Sequence, residues 1–293
     1  MYGIITYLRN KLFDCGIIEQ KSHSVKIISV GNIRVGGTGK TPFVEYLIKA
    51  LSPYFNLAIL SRGYGRKTKG FIHLQPHHSA SEVGDEPLLI YKRNSNTLVA
   101  VCEERNKGVE NILKISPKTN LIILDDAYQH RYINRDINIL LTEYNRPFFK
   151  DRVIPYGRLR EYRKGYKRAS YIVVTKCPPL NEKQKQDFVL KLKPLPHQKI
   201  FFSNIVYKLP YHIKKKEKQI NLSDYKVLLL TGIANNQHII EYLNSITQVV
   251  DTITFSDHHN FTEKDKIQIK NRYNKFSKSN TILLTTEKDA MRL

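Results

Sequence analysis

Short, continuously apolar runs alternate with amphipathic stretches through most of the chain. The apolar runs predict strands at Val25–Val30, Asn56–Ser61, Thr97–Val101, Asn120–Leu124, Ile137–Leu141 and Tyr171–Thr175. Further strands are predicted at Lys199–Phe202, Lys226–Thr231, Val249–Phe255 and Thr281–Thr285. Helical spacing predicts helices at Thr41–Leu51, Glu103–Ile115, Asn236–Ser245 and Glu263–Phe276. Strands without polar alternation are buried on both faces, which points to a mostly parallel sheet covered by helices. The expected fold is an α/β/α sandwich with a smaller C-terminal α/β domain.

A polar stretch with Pro178, Pro179, Pro194, Pro196 and the run Lys214-Lys215-Lys216 interrupts the pattern. The organisation read from this is an N-terminal helix (1–22), a main domain (23–180), a linker region (181–222) and a smaller domain (223–293). In the first segment, Ile5, Leu8, Leu12 and Phe13 fall on one helical face. That face suits either a membrane headgroup region or packing on the helix's own domain.

The chain has 48 Lys and Arg against 26 Asp and Glu, a net charge of +22. This surplus suits polyanions (nucleic acid, anionic lipid headgroups or phosphorylated substrates), and an ordinary lysine-rich surface gives the same number. Cys15, Cys102 and Cys177 are too few and too scattered for a disulfide framework or a zinc site. No apolar run approaches the roughly 20 residues needed to span a bilayer, and no secretory h-region is present. The expected location is the cytoplasm or a membrane surface.

The most specific local signal is VKIISVGNIRVGGTGKT, Val25–Thr41. An apolar strand runs into a glycine-rich loop and then a helix. Gly36, Gly37, Thr38 and Gly39 are candidates to turn backbone N–H groups around phosphate oxygens, aided by the helix N-terminus. Lys40 would reach the β- and γ-phosphates of ATP, and the Thr41 hydroxyl would ligate Mg²⁺. Two departures stand out. A strict Walker loop needs glycine at position 34, which is Arg34, and the early lysine of partition-type ATPases is absent.

LIILDDAYQH adds the second part that phosphoryl transfer needs, a carboxylate at a strand end. Asp125 and Asp126 are the candidate metal ligands, and Gln129 and His130 follow them along the same edge. In GRLRE, Gly157–Glu161, Arg160 is a candidate for a substrate phosphate and Glu161 for completing the Mg²⁺ shell.

VGNIRVGGTGKTP, SRGYG (Ser61–Gly65), VGDEP (Val83–Pro87), DDAYQH, GRLRE, SDHHNFT (Ser256–Thr262) and TTEKDA (Thr285–Ala290) occur in this order. Together they resemble the tetraacyldisaccharide 4′-kinases of lipid A synthesis, from about Val25 to the end of the chain. The resemblance implies transfer of the ATP γ-phosphate to the 4′-hydroxyl of an acylated glucosamine disaccharide 1-phosphate. It also implies a peripheral location on the cytoplasmic face of the inner membrane, with no nucleic acid as partner. Asp85 is then the expected catalytic carboxylate, with His258 in preference to His259 as its partner, brought together by domain closure. Arg62, Arg105, Gln129, His130 and Arg160 are expected at the disaccharide and its phosphate, and Asp14 with the N-terminal helix at the lipid. Ala127 and Tyr128 stand where this family usually shows Gly and Phe. Relatives also usually continue past TTEKDA through another strand and helix. Three other classes share parts of the pattern: a partition-type ATPase, a P-loop kinase of a soluble metabolite, and a non-catalytic nucleic-acid binder. None of them accounts for GDEP and DHH together.

Overall fold

A computed structural model describes every residue except Met1, Lys214, Ala234, Asn235, Asp257, His258 and Ser277–Ser279. The chain divides into two compact units, Met1–Ile205 and Val206–Leu293. The first unit begins with α1 (Tyr2–Asp14), β1 (Lys26–Gly31), α2 (Lys40–Leu51) and β2 (Leu57–Ser61). It continues with β3 (Ile72–His73), α3 (Ala80–Val83), α4 (Asp85–Arg93), β4 (Leu98–Val101) and α5 (Arg105–Ile115). β5 (Leu121–Asp125), β6 (Ile137–Glu143), β7 (Tyr171–Thr175), α6 (Glu182–Leu192) and β8 (Lys199–Phe202) complete it.

These strands form one eight-stranded sheet in the order β3-β4-β2-β5-β1-β6-β7-β8. All pairings are parallel except that of the short edge strand β3 with β4. The α/β/α sandwich expected from the apolar runs is present. On one face, Ile28 and Val30 of β1, Ile59 and Ile123 pack with Val44 and Ile48 of α2 and with Leu88 and Ile90 of α4. On the other, Ile27, Ala58, Leu60, Ile122 and Leu124 meet Val109 and Ile112 of α5. Leu140, Ile172 and Val174 meet Phe188 and Leu192 of α6 on that same side. Successive residues of each strand therefore enter opposite cores, which is why no polar alternation survives in the sequence.

The interval 181–222, read from composition as a linker, carries α6 and β8, and β8 extends the main sheet through β7. An Asn181 cap and capping box start α6, a signal masked by the surrounding prolines and lysines. The prediction also missed α3 and β3, both too short for periodicity to resolve.

The second unit contains a small antiparallel ribbon, β9 (Tyr211–His212) with β10 (Lys215–Gln219). Its main sheet is built by β11 (Lys226–Thr231), β12 (Val249–Thr254) and β13 (Thr281–Thr285), parallel in the order β12-β11-β13. α7 (Gln237–Asn244) and α8 (Glu263–Asn274) pack on it, and the short α9 (Glu287–Ala290) follows β13.

Where β1 ends the sheet is tightly packed. A Cβ at Gly31 would stand 2.8 Å from both the Cβ and the backbone nitrogen of Tyr128. We therefore expect Gly31→Ala to destabilise the protein by about 1–3 kcal/mol through overpacking, measured as a lowered thermal midpoint.

Candidate functional site

Because β1, β2, β5, β6 and β7 are parallel, their carboxyl ends share one edge of the sheet, the usual ligand edge of open α/β folds. The glycine-rich loop leaves β1 there and enters α2 at Lys40. Gly36 (φ 113°) and Gly39 (φ 80°) occupy the left-handed region, where a side chain is strained. A Cβ at Gly36 or Gly37 would meet nothing within 4 Å, so these glycines leave open space rather than relieve a clash. Inside the loop, Asn32 Nδ2 donates to Thr38 Oγ1 at 2.6 Å, and Thr38 is buried.

β5 delivers the acidic pair. Asp125 is buried; its Oδ2 accepts from Ser61 Oγ at 3.3 Å, and its Oδ1 has no hydrogen-bond partner among the described residues. Burial, with Glu86 and Asp126 close by, pushes its carboxyl up to about 7, against the pull of Lys40 and Arg105. Asp126 turns out of the strand at φ 46°. Its Oδ1 lies 3.7 Å from Lys40 Nζ, and both oxygens accept from Arg160 Nη1 at 3.1 Å. Burial would raise the Asp126 carboxyl, but Lys40 and Arg160 outweigh it and hold it below the usual range. Two adjacent carboxylates are thus held in opposite ways, one by cations and one with an oxygen left over.

The GDEP and SRGYG motifs explain one another. Gly84 (φ 91°) packs backbone to backbone on the turn after β2, since a Cβ there would stand 3.1 Å from the Tyr64 carbonyl. Gly63 (φ 71°) would in turn bring a Cβ to 3.1 Å from the Val83 carbonyl. This contact starts α4 beside the end of β2, the neighbour of β5. Asp85 is its first residue and is buried, and Glu86 sits close enough for its charge to act on Asp125. Sequence reading passed over Glu86; its place directly after Asp85 in a helix's first turn was the available clue.

Several expected site residues have other partners. Arg105 is buried and donates to the carbonyls of Cys102 at 2.7 Å and Asp125 at 3.3 Å, so it braces strand ends rather than facing a ligand. Its guanidinium is drawn down to about 10 by burial, with Asp125 opposing. Glu161, expected in the metal shell, is buried with both oxygens accepting from Arg168 at 2.8 Å. Asn10 and Gln129 add further donors at 2.9 and 3.0 Å. Glu161 would join a metal only by exchanging these bonds. Gln129 also donates to the Asn32 carbonyl at 2.7 Å, tying this network to the loop. His130 is half-buried and drawn down to about 4 by burial and the surrounding arginines, so it is neutral at physiological pH. Arg62 is exposed. Tyr128 is buried, and its hydroxyl donates to the Gly165 carbonyl at 2.8 Å, which satisfies the added phenol oxygen. Asp14 pairs with Arg131 at 2.8 Å. His258 lies outside the described residues. Its neighbour His259 stacks on Phe255 and meets Asp265 at 3.0 Å.

A glycine-rich loop opening a helix, beside carboxylates at a sheet edge, puts the chain among the P-loop nucleotide-binding proteins. Comparison with known proteins narrows this. The family model described as LpxK, tetraacyldisaccharide-1-P 4′-kinase, matches residues 1–293. A tetraacyldisaccharide 4′-kinase of Bacteroides fragilis is 45% identical over 302 residues, covering 100% of this chain and 80% of the relative. One of Flavobacterium johnsoniae is 42% identical over 297 residues, covering 100% and 85%. The crystal structure of the "apo" form of LpxK from Aquifex aeolicus in complex with ATP superposes with a TM-score of 0.76. It is 31% identical and covers 100% of this chain and 87% of that one. The chain belongs to the tetraacyldisaccharide 4′-kinase family.

The raised Asp125 group carries a stability consequence. Between its unfolded value near 4 and its folded value of about 7, the folded protein binds the extra proton, so its contribution to stability falls as pH rises. Without divalent cations, Asp125→Asn is expected to gain thermal stability relative to the parent at pH 8 and to lose that advantage towards pH 5. Melting curves at the two pH values test this; an equal difference at both would remove the assigned shift.

Proposed function

We propose that the residues at this edge transfer the γ-phosphate of ATP to the 4′-hydroxyl of a tetraacylated glucosamine disaccharide 1-phosphate. Family membership makes the chain an ATP-dependent tetraacyldisaccharide 4′-kinase; the roles of individual residues are our reading. The observation that carries it is Lys40 facing Asp126 at 3.7 Å at the end of the loop, with an oxygen of adjacent Asp125 that has no hydrogen-bond partner among the described residues.

In this reading the backbone N–H groups around Gly36–Gly39 bind the triphosphate, and Lys40 balances charge on its β and γ oxygens. Among the described residues no three His, Cys, Asp or Glu side chains gather as a metal cluster. That suits Mg²⁺, which takes one or two carboxylates and fills its shell with water and phosphate oxygens. Asp125 and Asp126 with the Thr41 hydroxyl fit that set, because buried Asp125 keeps one oxygen without a hydrogen-bond partner among the described residues. When bound, Mg²⁺ would supply positive charge where negative charge builds up on the transferring phosphate. Asp85 accepts the proton of the attacking sugar hydroxyl and orients its oxygen. Arg160, already forked towards Asp126, and exposed Arg62 are the cations available to substrate phosphate, with neutral His130 as a hydrogen-bonding neighbour. Arg105 and Gln129 act through the scaffold.

The lipid half of the substrate is met by α1. Its residues Gly3, Thr6 and Phe13 are buried against the unit, while Ile4, Ile5 and Leu8 are more than half exposed. Gly3 rests near Val153 and Tyr162, so α1 lies beside the exposed Arg152, Arg158, Arg163, Lys164 and Tyr156. No helix among the described residues is long and apolar enough to cross a membrane. An aliphatic row flanked by basic and aromatic side chains fits docking on an anionic leaflet, here the cytoplasmic face of the inner membrane.

Two measurements test the reading. In a γ-labelled ATP transfer assay with detergent-dispersed tetraacyldisaccharide 1-phosphate, Lys40→Ala should lower label transfer by about 10²–10³-fold. Asp85→Asn should lower it by about 10²–10⁴-fold with ATP affinity unchanged; turnover retained in Asp85→Asn removes Asp85 as the base. Ile5→Asp combined with Leu8→Asp should weaken sedimentation with phosphatidylglycerol-containing vesicles by about tenfold or more, since each aliphatic chain buried contributes roughly 1.5–3 kcal/mol. Undiminished binding would move the membrane contact elsewhere.

A further inference from the structure

The phosphate loop is held from behind by a strand that the sequence motif does not include. At the end of β7, Thr175 Oγ1 donates to the Thr38 carbonyl at 2.9 Å. The next residue, Lys176, donates from Nζ to the Gly37 carbonyl. Thr175 is buried, and Lys176 adopts φ 55°, in the left-handed region that a side chain disfavours. The same ammonium pairs with Glu143 Oε1 at the end of β6. Glu143 Oε2 pairs with Arg34 Nη1 at 3.1 Å, and Arg34 Nε continues to Asp151 at 2.8 Å. The side chains of Lys176, Glu143 and Arg34 are about nine-tenths buried. A chain of alternating charges therefore runs from Asp151 to the back of the loop.

A planar trans peptide points its C=O and N–H in opposite directions. Fixing the Thr38 carbonyl on β7 thus turns the Gly39 N–H the other way. Holding the Gly37 carbonyl on an ammonium keeps a second negative dipole end away from the phosphates. Donors set in advance lose little ordering entropy when the ligand arrives.

We infer that Thr175 and Lys176 are positioning residues for ATP: they fix the Thr38 and Gly37 carbonyls on the sheet side of the loop, with Glu143 and Arg34 holding Lys176 in place. The inference rests on the reading of the glycine-rich loop as the ATP site. It gives Arg34 a task, since the residue that breaks the strict Walker spacing is the far anchor of this brace.

The test is equilibrium binding of MgATP to the full-length protein, with inorganic tripolyphosphate as competitor and the lipid KM measured alongside. Thr175→Val and Lys176→Met should each weaken ATP about tenfold, the loss expected of one hydrogen bond near charge. Tripolyphosphate should weaken by the same factor, the lipid KM should stay unchanged, and Thr175→Ser should restore ATP binding. Because Lys176→Met leaves the buried Glu143 carboxylate with Arg34 alone and could destabilise the fold, the double variant Lys176→Met/Glu143→Gln is measured too and should show the same tenfold loss. Wild-type affinity in Thr175→Val, or a Thr175→Ser as weak as Thr175→Val, overturns the inference. Lys40→Ala run in parallel separates the two readings. If it alone loses ATP, the brace is wrong; if it too binds normally, the loop is not the ATP site.

Discussion

Asp125 and Asp126 end a strand whose other residues are buried in two cores, and adjacent carboxylates in such a position are unfavourable unless cations answer them. Much of the first unit can be understood as that answer. Lys40 opens α2 because the loop before it returns to the same sheet edge, and Arg160 reaches Asp126 from the segment after β6. Arg105 closes on the backbone of Asp125 from α5. The compensation is deliberately incomplete at Asp125 Oδ1.

The same electrostatic logic reinterprets the net charge of +22. Arg34, Arg105, Arg131 and Arg168 are not surface cations awaiting a polyanion. Each is largely buried and spent on a carbonyl or a carboxylate. Guanidinium suits this use because its donors form a planar fork that can serve several acceptors at once. The charge that remains outside is concentrated partly along 152–167 beside α1, so its placement carries more information than its total.

The parallel sheet and the loop were legible in the sequence because each is local: apolar runs of strand length, and glycines directly before lysine and threonine. Asp125 and Asp126 were legible for the same reason, as polar residues ending an apolar run. What stayed hidden was set by contacts distant in sequence. Nothing local distinguishes Arg160, which faces Asp126, from Arg105, which braces backbone. Nor does GRLRE reveal that Glu161 is already engaged by Arg168, Asn10 and Gln129. Thr175 and Lys176 look like a strand end followed by a loop, and only the pairing of β7 next to β6 brings them to the loop after β1.

The N-terminal helix shows how hydrophobic periodicity can identify an amphipathic element and still misassign its faces. Counting apolar residues groups Phe13 with Ile5, Leu8 and Leu12, yet Phe13 is buried against Tyr132 and Arg131 while the aliphatic three are exposed. The docked face is instead built from Gly3 and Thr6, which allow close approach. Arg9 and Asn10 add polar bonds to Gln129 and Glu161. A helix that packs on its own protein through small and polar residues has its aliphatic side left over, which is the reverse of a soluble surface helix. Because Gln129 and Glu161 also connect to the Asn32 carbonyl and Arg168, the polar face that orients the aliphatic row is joined through side chains to the phosphate loop.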